Sequence, residues 1–228
     1  MKISVIIPTH NEEEHIAEAL KAILKQDYPS FEVIVVDNAS TDRTAEIVRQ
    51  FPVNLVSEWR QGTLRACESG RAEATGDIIA RMDADCLPDY DWLSRGAKHF
   101  EKKEIVAASG PYDYYDASLF FNKTSLLAQR YVYKFFSYLL QLPFIKRGAV
   151  MIGGNSLMRA DVLAKAGGFN TSITFYGDDT DTARRVAKHG KVIFDPNLII
   201  KTSARRFKKE GVLALQAKYI YHFLKALY

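Results

Sequence analysis

Through the first half of the chain, short unbroken apolar runs alternate with stretches whose apolar residues recur every three or four positions. The runs are ISVII (3–7), FEVIVV (31–36), VNLVS (53–57), DIIARM (77–82) and EIVAAS (104–109). Each is short and rich in Val and Ile, the mark of strands buried on both faces. Helical spacing fills the gaps, at about 12–25, 42–51, 62–75 and 91–103. Strands separated by helices predict an α/β fold, with a mostly parallel, Rossmann-like sheet flanked by helices and a ligand crevice at the carboxyl ends of the strands. From about residue 117 the rhythm changes to a long aromatic helical stretch, SLFFNKTSLLAQRYVYKFFSYLLQL (118–142), a glycine-containing strand, VMIGGNSLMR (150–159), and shorter helices. No repeat or low-complexity linker interrupts the chain, so one domain over residues 1–228 with a helical C-terminal elaboration is expected.

Within 118–142, the polar residues Arg130, Lys134, Ser137 and Gln141 leave a broad face of Leu126, Leu127, Tyr131, Phe135, Tyr138, Leu139 and Leu142. The segment 212–228 has a similar character. Such helices either pack as a lid or lie in a membrane interface. Charge bears on that choice. Residues 1–116 carry 13 Lys/Arg against 21 Asp/Glu, a net of −8, and residues 117–228 carry 18 against 6, a net of +12. With no nucleic-acid motif beside it, the basic half points to an anionic membrane or a phosphorylated substrate rather than to nucleic acid.

A hydrophobic fraction of 47% with 25% charged residues suits a globular protein with a sizeable core. The two cysteines, Cys67 and Cys86, have no zinc or disulfide spacing. A first strand at Ile3 leaves no room for a signal peptide, and no apolar run approaches the ~18 residues of a spanning helix. The expected location is cytoplasmic, with contact at the inner face of the cell membrane at most.

The first strand leads into PTHNEE (8–13), which lacks the glycines a dinucleotide-binding turn needs, and this argues against an NAD enzyme. The second leads into VVDNASTDRT (35–44), and the fourth into RMDADC (81–86). If the fourth strand continued, Asp83 and Asp85 would share one face within about 7 Å of each other. Repulsion and desolvation disfavour that arrangement unless a cation or solvent offsets them.

Taken together, in this order and spacing, these motifs resemble the family 2 glycosyltransferases. The resemblance implies a GT-A fold and inverting transfer of a sugar from a nucleotide diphosphate donor to an acceptor hydroxyl; a UDP-sugar is the expected donor, with GDP- and dTDP-sugars as the alternatives. It implies that Pro8, Thr9, Glu12 and Asp37 hold the nucleobase and ribose, that Asp83 faces the ribose or donor sugar, and that Asp85 binds Mg²⁺ or Mn²⁺. RQGTLRACESGRAEATGD (60–77) keeps the family spacing, with Glu68 where relatives carry Asn, and Arg65 is placed to reach donor phosphates. GGNSLMRADVLAKAGGFN (153–170) resembles the acceptor-side strand, and FYGDDTDTARR (175–185) resembles the acidic pair that holds the catalytic base. Asp179 is assigned as base, with Asp178 beside it. Asp178 and Asp181 would raise its pKa, and the helix N-terminus would lower it. Arg205 and Arg206 are candidates to stabilise the leaving diphosphate, near a point where many relatives carry a metal-binding His that is missing here. Residues 1–116 then form the donor half and 117–228 the acceptor half, which serves a saccharide or, at a membrane, a lipid-linked acceptor. The competing readings are a nucleotidyltransferase and a non-catalytic nucleotide-binding module.

Overall fold

The computed structural model describes residues 1–142, 148–173 and 176–227. Phe175 and Tyr228, end residues of two stretches quoted above, lie outside them. Every apolar run becomes a strand. β1 (Ile3–Thr9), β2 (Phe31–Asp37), β3 (Asn54–Ser57) and β4 (Ile78–Met82) alternate with α1 (Ile16–Ile23), α2 (Thr44–Val48) and α3 (Thr63–Glu73). β5 (Leu87–Pro88), α4 (Trp92–His99), β6 (Ile105–Ser109) and β7 (Tyr112–Tyr114) follow. Next come α5 (Leu119–Ala128) and α6 (Lys134–Leu140), separated by a π-helical turn, Gln129–Tyr133. The chain continues through β8 (Asn155–Arg159), α7 (Ala160–Lys165), α8 (Asp178–Val186), β9 (Lys191–Phe194), β10 (Ile200–Thr202), α9 (Arg205–Glu210) and α10 (Val212–Leu227).

Seven strands form the main sheet in the order β3-β2-β1-β4-β8-β6-β9. Neighbours run parallel except at β8, which is antiparallel to both β4 and β6. The sheet is thus mainly parallel, as the alternation of runs and helices predicts. Ile3, Val5 and Ile7 of β1 pack with Ile16 and Leu20 of α1 and Trp92 of α4 on one face. Ile6 packs on the other face with Leu64 and Cys67 of α3 and Ala183 of α8. Both faces are covered, which is why the run is apolar without a break. Helix α3 comes close to the sheet at Gly70, where a Cβ would lie 2.6 Å from Ile6 Cγ2.

A second sheet, β5-β10-β7, has strands of only two or three residues, too short to leave a periodic signal. The strand expected over 150–159 begins only at Asn155. Before it, the Ile152 N–H donates to the Ser109 hydroxyl (2.8 Å) instead of to a neighbouring strand. Asn155 is fully buried. Its carboxamide accepts from the Trp92 indole (2.9 Å) and donates to the carbonyls of Pro111 (3.1 Å) and Leu198 (2.7 Å). One side chain thereby joins α4 to the segments leading into β7 and β10.

The aromatic helical stretch packs opposite to what its apolar face suggests. Its buried residues include Gln129 and Ser137, whereas Phe120, Tyr131, Phe135 and Tyr138 are each 59–80% exposed. Leu140 packs with Val150 and Phe194, but much of the attachment is polar. Gln129 accepts from Tyr112 N (2.9 Å) and donates to Tyr112 O (3.2 Å), and Gln141 does the same with Val192 N (2.8 Å) and O (2.9 Å). Each carboxamide pairs with one strand residue as another strand would. None of the described helices is long and apolar enough to cross a membrane.

Glu32 ties the start of β2 to its neighbours, accepting from Ser4 Oγ (2.5 Å), Lys2 Nζ (2.9 Å) and Thr75 N (2.9 Å). Burial pushes its carboxyl up, but these hydrogen bonds outweigh that and hold it at about 2. A carboxyl depressed on folding stabilises above its unfolded pKa and loses that contribution as pH falls toward its folded pKa. Glu32→Gln should therefore cost about 1–3 kcal/mol at pH 7, with the gap from wild type narrowing as pH falls from about 4.5 toward 2. Urea unfolding at pH 7 and pH 3 measures both.

Candidate functional site

β2, β1 and β4 end side by side, at Asp37, Thr9 and Met82. Because β8 runs the other way, the Gly153–Gly154 turn before it reaches the same edge, where the first turns of α8 and α9 present Asp178, Asp179 and Arg205. Past Met82 the chain turns, with Cys86 N donating to Asp83 O at 3.1 Å. The strand has stopped, so Asp83 and Asp85 take different partners rather than sharing a face. Asp83 accepts the Tyr112 hydroxyl (3.0 Å) and lies 3.9 Å from Arg81 Nη2. Asp85 accepts the Thr202 hydroxyl (3.2 Å) and pairs with Arg205 Nη2 (3.1 Å).

Two ionic networks result. In the first, Arg205 Nη2 also bonds Glu12 Oε1 at 2.5 Å. Glu12, expected beside the nucleobase, thus converges with Asp85 on one cationic nitrogen. Burial pushes the Asp85 carboxyl up to about 6; the charge of Asp83 adds to this and Arg205 opposes it. Two carboxylates meeting where a cation already sits match the hard oxygen donors that Mg²⁺ or Mn²⁺ takes. Among the described residues, no group of three His, Cys, Asp or Glu converges in that way.

The second network surrounds Arg81, a buried residue of β4 whose Nη1 donates to Asp178 Oδ2 (3.0 Å) and Asp179 Oδ1 (3.4 Å). Gly153 and Gly154 leave room for it. A Cβ on the first would collide with Asp179 Oδ1 and Arg81 Nη1, and one on the second with Asp83 Oδ2 and the Tyr112 hydroxyl. The Asp179 side chain stays 34% exposed, open to the crevice. Desolvation by the surrounding protein raises its carboxyl well above the ordinary range; Asp178 adds to the rise, and Arg81 and the Gly153 N–H oppose it. Asp181 does not take the part expected of it, because Arg185 (2.8 Å) and Arg184 (3.7 Å) engage its carboxylate.

The other candidates stand apart from these networks. Asp37 is buried, and its Oδ1 has no donor among the described residues. The Thr9 hydroxyl is turned onto the Val36 carbonyl (3.0 Å), with Pro8 half-buried beside it. Arg65, in the first turn of α3, makes no ion pair among the described residues. Arg206 donates to the Tyr219 hydroxyl at 3.2 Å. Sequence reasoning missed Arg81, Tyr112 and Asn38. Asn38 fixes the loop leading to α3 by donating to Glu58 O (2.8 Å) and Arg60 O (2.9 Å) and accepting from Gly62 N (2.8 Å). Arg81 did leave a signal, as the one charge inside an otherwise apolar strand.

The sequence profile of Glycosyl transferase family 2 matches residues 4–167. Glycosyltransferase AglE of Haloferax volcanii is 31% identical over 213 residues, which cover 90% of this chain and 68% of AglE. Among solved structures, the mannosyltransferase PcManGT from Pyrobaculum calidifontis, in complex with GDP-Man and Mn²⁺, superposes with a TM-score of 0.74 at 28% identity, covering 99% of this chain and 64% of its own. TarS of S. aureus in complex with UDP-GlcNAc shares the fold, with a TM-score of 0.68 at 21% identity, over 90% of this chain and 59% of its own. The chain therefore spans less than two thirds of either solved structure. With a profile match over most of its length and a relative aligned along nearly all of it, the chain belongs to glycosyl transferase family 2 and has the GT-A fold of its structural neighbours.

Proposed function

We propose that the chain transfers a sugar from a UDP-sugar to an acceptor hydroxyl with inversion, Asp179 acting as the base. The observation that carries this reading is the partly exposed Asp179 carboxylate, held at the crevice by Arg81 (3.4 Å) beside Asp178. The acceptor O–H proton passes to Asp179, the acceptor oxygen bonds the anomeric carbon, and the bond to the diphosphate breaks with its electron pair leaving on the diphosphate. Asp178 keeps Arg81 in place beneath the base. The unpaired Asp37 oxygen and the loop of Pro8 and Thr9 receive the nucleoside, with Asp83 toward the donor sugar. Arg65, Arg205 and Arg206 face the phosphates. Asp85 would hold a divalent cation together with diphosphate oxygens, and such an ion, when bound, offsets the charge of the leaving group. PcManGT in complex with GDP-Man and Mn²⁺ supports a nucleotide-diphosphate-sugar donor and a divalent cation, and TarS in complex with UDP-GlcNAc supports the uridine form of that donor.

Thermal-shift screening with UDP-, GDP- and dTDP-sugars, with and without Mn²⁺, tests the donor site. A UDP-sugar should raise the melting temperature more with Mn²⁺ than without, and Asp85→Ala should remove that metal-dependent increment. No increment in wild type would remove the cation from the proposal. Asp179→Asn should keep the donor-induced shift and lower transfer about 10²–10⁴-fold. Full transfer by that variant would contradict the base assignment.

A lipid-linked acceptor at an anionic membrane surface is a second reading. It is favoured by the outward Phe120, Tyr131, Phe135 and Tyr138, which stand beside exposed Lys123 and Lys134. Co-sedimentation should favour anionic over neutral vesicles and weaken with salt. Equal, salt-insensitive recovery with both would sink it.

A further inference from the structure

β4 is fully buried and apolar apart from Arg81, whose guanidinium reaches carboxylates on both sides of the crevice. We propose that Arg81 is a positioning residue, which links the donor-side Asp83 to the acceptor-side Asp178 and Asp179, aims the base at the acceptor hydroxyl and favours its carboxylate form. The inference rests on the reading of Asp179 as base.

Three observations carry it. The guanidinium lies 3.0 Å from Asp178, 3.4 Å from Asp179 and 3.9 Å from Asp83, so one planar group spans residues from two separate segments. Its Nε is buried without a hydrogen-bond partner among the described residues. A buried strand position that leaves a donor unsatisfied is poorer for stability than an aliphatic side chain, so folding alone does not account for the arginine. Finally, the Gly153–Gly154 turn has no space for a Cβ because this cluster fills it.

Among the described residues Arg81 is the cation seen to pair with Asp179, while Arg206 of α9, bonded to the Tyr219 hydroxyl, lies in the field of Asp83. Asp178 on its own helix and Asp83 from the β4 turn are like charges. Cys67 of α3, Tyr112 of β7, Tyr133 of the π-helical turn and Tyr219 of α10 also face the cluster. Burial pushes the Cys67 thiol up to about 12 and raises all three phenols, so these four stay neutral through the range in which a carboxyl titrates. An arginine remains charged throughout. Without it, two neighbouring carboxylates oppose ionisation of Asp179, with the Gly153 N–H on the other side.

The experiment is a pH titration of the whole chain carrying ¹³Cγ-labelled aspartate, with Asp179→Asn assigning the Asp179 resonance. Arg81→Gln should move the Asp179 midpoint upward by one pH unit or more. Arg81→Lys, which keeps the charge but reaches with a single nitrogen, should move it upward by less. An unchanged midpoint in a folded variant overturns the proposal, and Arg81→Lys decides alone if the glutamine variant does not fold. In transfer assays the acid limb of the Arg81→Lys pH profile should move the same way, a displacement that a purely structural role would not produce. If Asp179→Asn retains full transfer, the base reading fails and takes this inference with it. If that variant is inactive while the Asp179 midpoint is indifferent to Arg81, only the present inference fails.

Discussion

The arrangement depends on a single buried carboxamide. Asn155 sits at the start of the one strand of the main sheet that runs against its neighbours, with every strong hydrogen-bonding atom of its side chain engaged at 2.7–3.1 Å. An apolar substitute would take the partner from the Trp92 indole N–H and the Leu198 carbonyl, each costing about 1–3 kcal/mol, and leave the Pro111 carbonyl with the Ile200 N–H (3.3 Å). Because Asn155 follows Gly153 and Gly154 directly, the same constraint fixes the turn against which Asp83, Arg81 and Asp179 pack. Stability of the scaffold and placement of the charged groups share one set of bonds.

The charges of the site are distributed so that no carboxylate is left to repel its neighbours unopposed. The crevice draws Glu12, Asp83, Asp85, Asp178 and Asp179 toward two guanidinium groups, one rooted in the sheet and one on the far C-terminal half. The −8 and +12 halves of the chain meet in part here, at Arg205, which crosses from the basic half to acids of the other. The asymmetry of the sequence is thus partly internal, and only the remainder is available to an outside partner.

The main sheet and its flanking helices were legible because a strand covered on both faces must be apolar throughout, and ISVII, FEVIVV and DIIARM obey that rule. The short β5, β7 and β10 were not, since two or three residues show no period. Nor was the seating of 118–142, where apolar spacing left a packed lid and a membrane-facing helix both open, and two glutamines turn the aromatic face outward by pairing with strand backbone. The RMDADC pair misled geometrically for a related reason. Strand alternation applied only to Met82, and the turn beyond it sent Asp83 and Asp85 to different arginines. Arg81 was visible but unread, because a charge next to two acids looks like a local counter-ion until the fold brings Asp178 and Asp179 to the same nitrogen.

The paired glutamines have a consequence for how copies of this chain behave toward one another. β9 ends the main sheet and β7 ends the small one, and an uncapped margin of that kind invites a foreign strand to add on. Gln129 and Gln141 occupy one peptide's worth of donor and acceptor on each, so the margins are shut by groups too short to propagate a ladder. Protection against cross-β growth is therefore built into a continuous helical segment that shows aromatic side chains to its surroundings. Detaching that segment would uncover both margins at once.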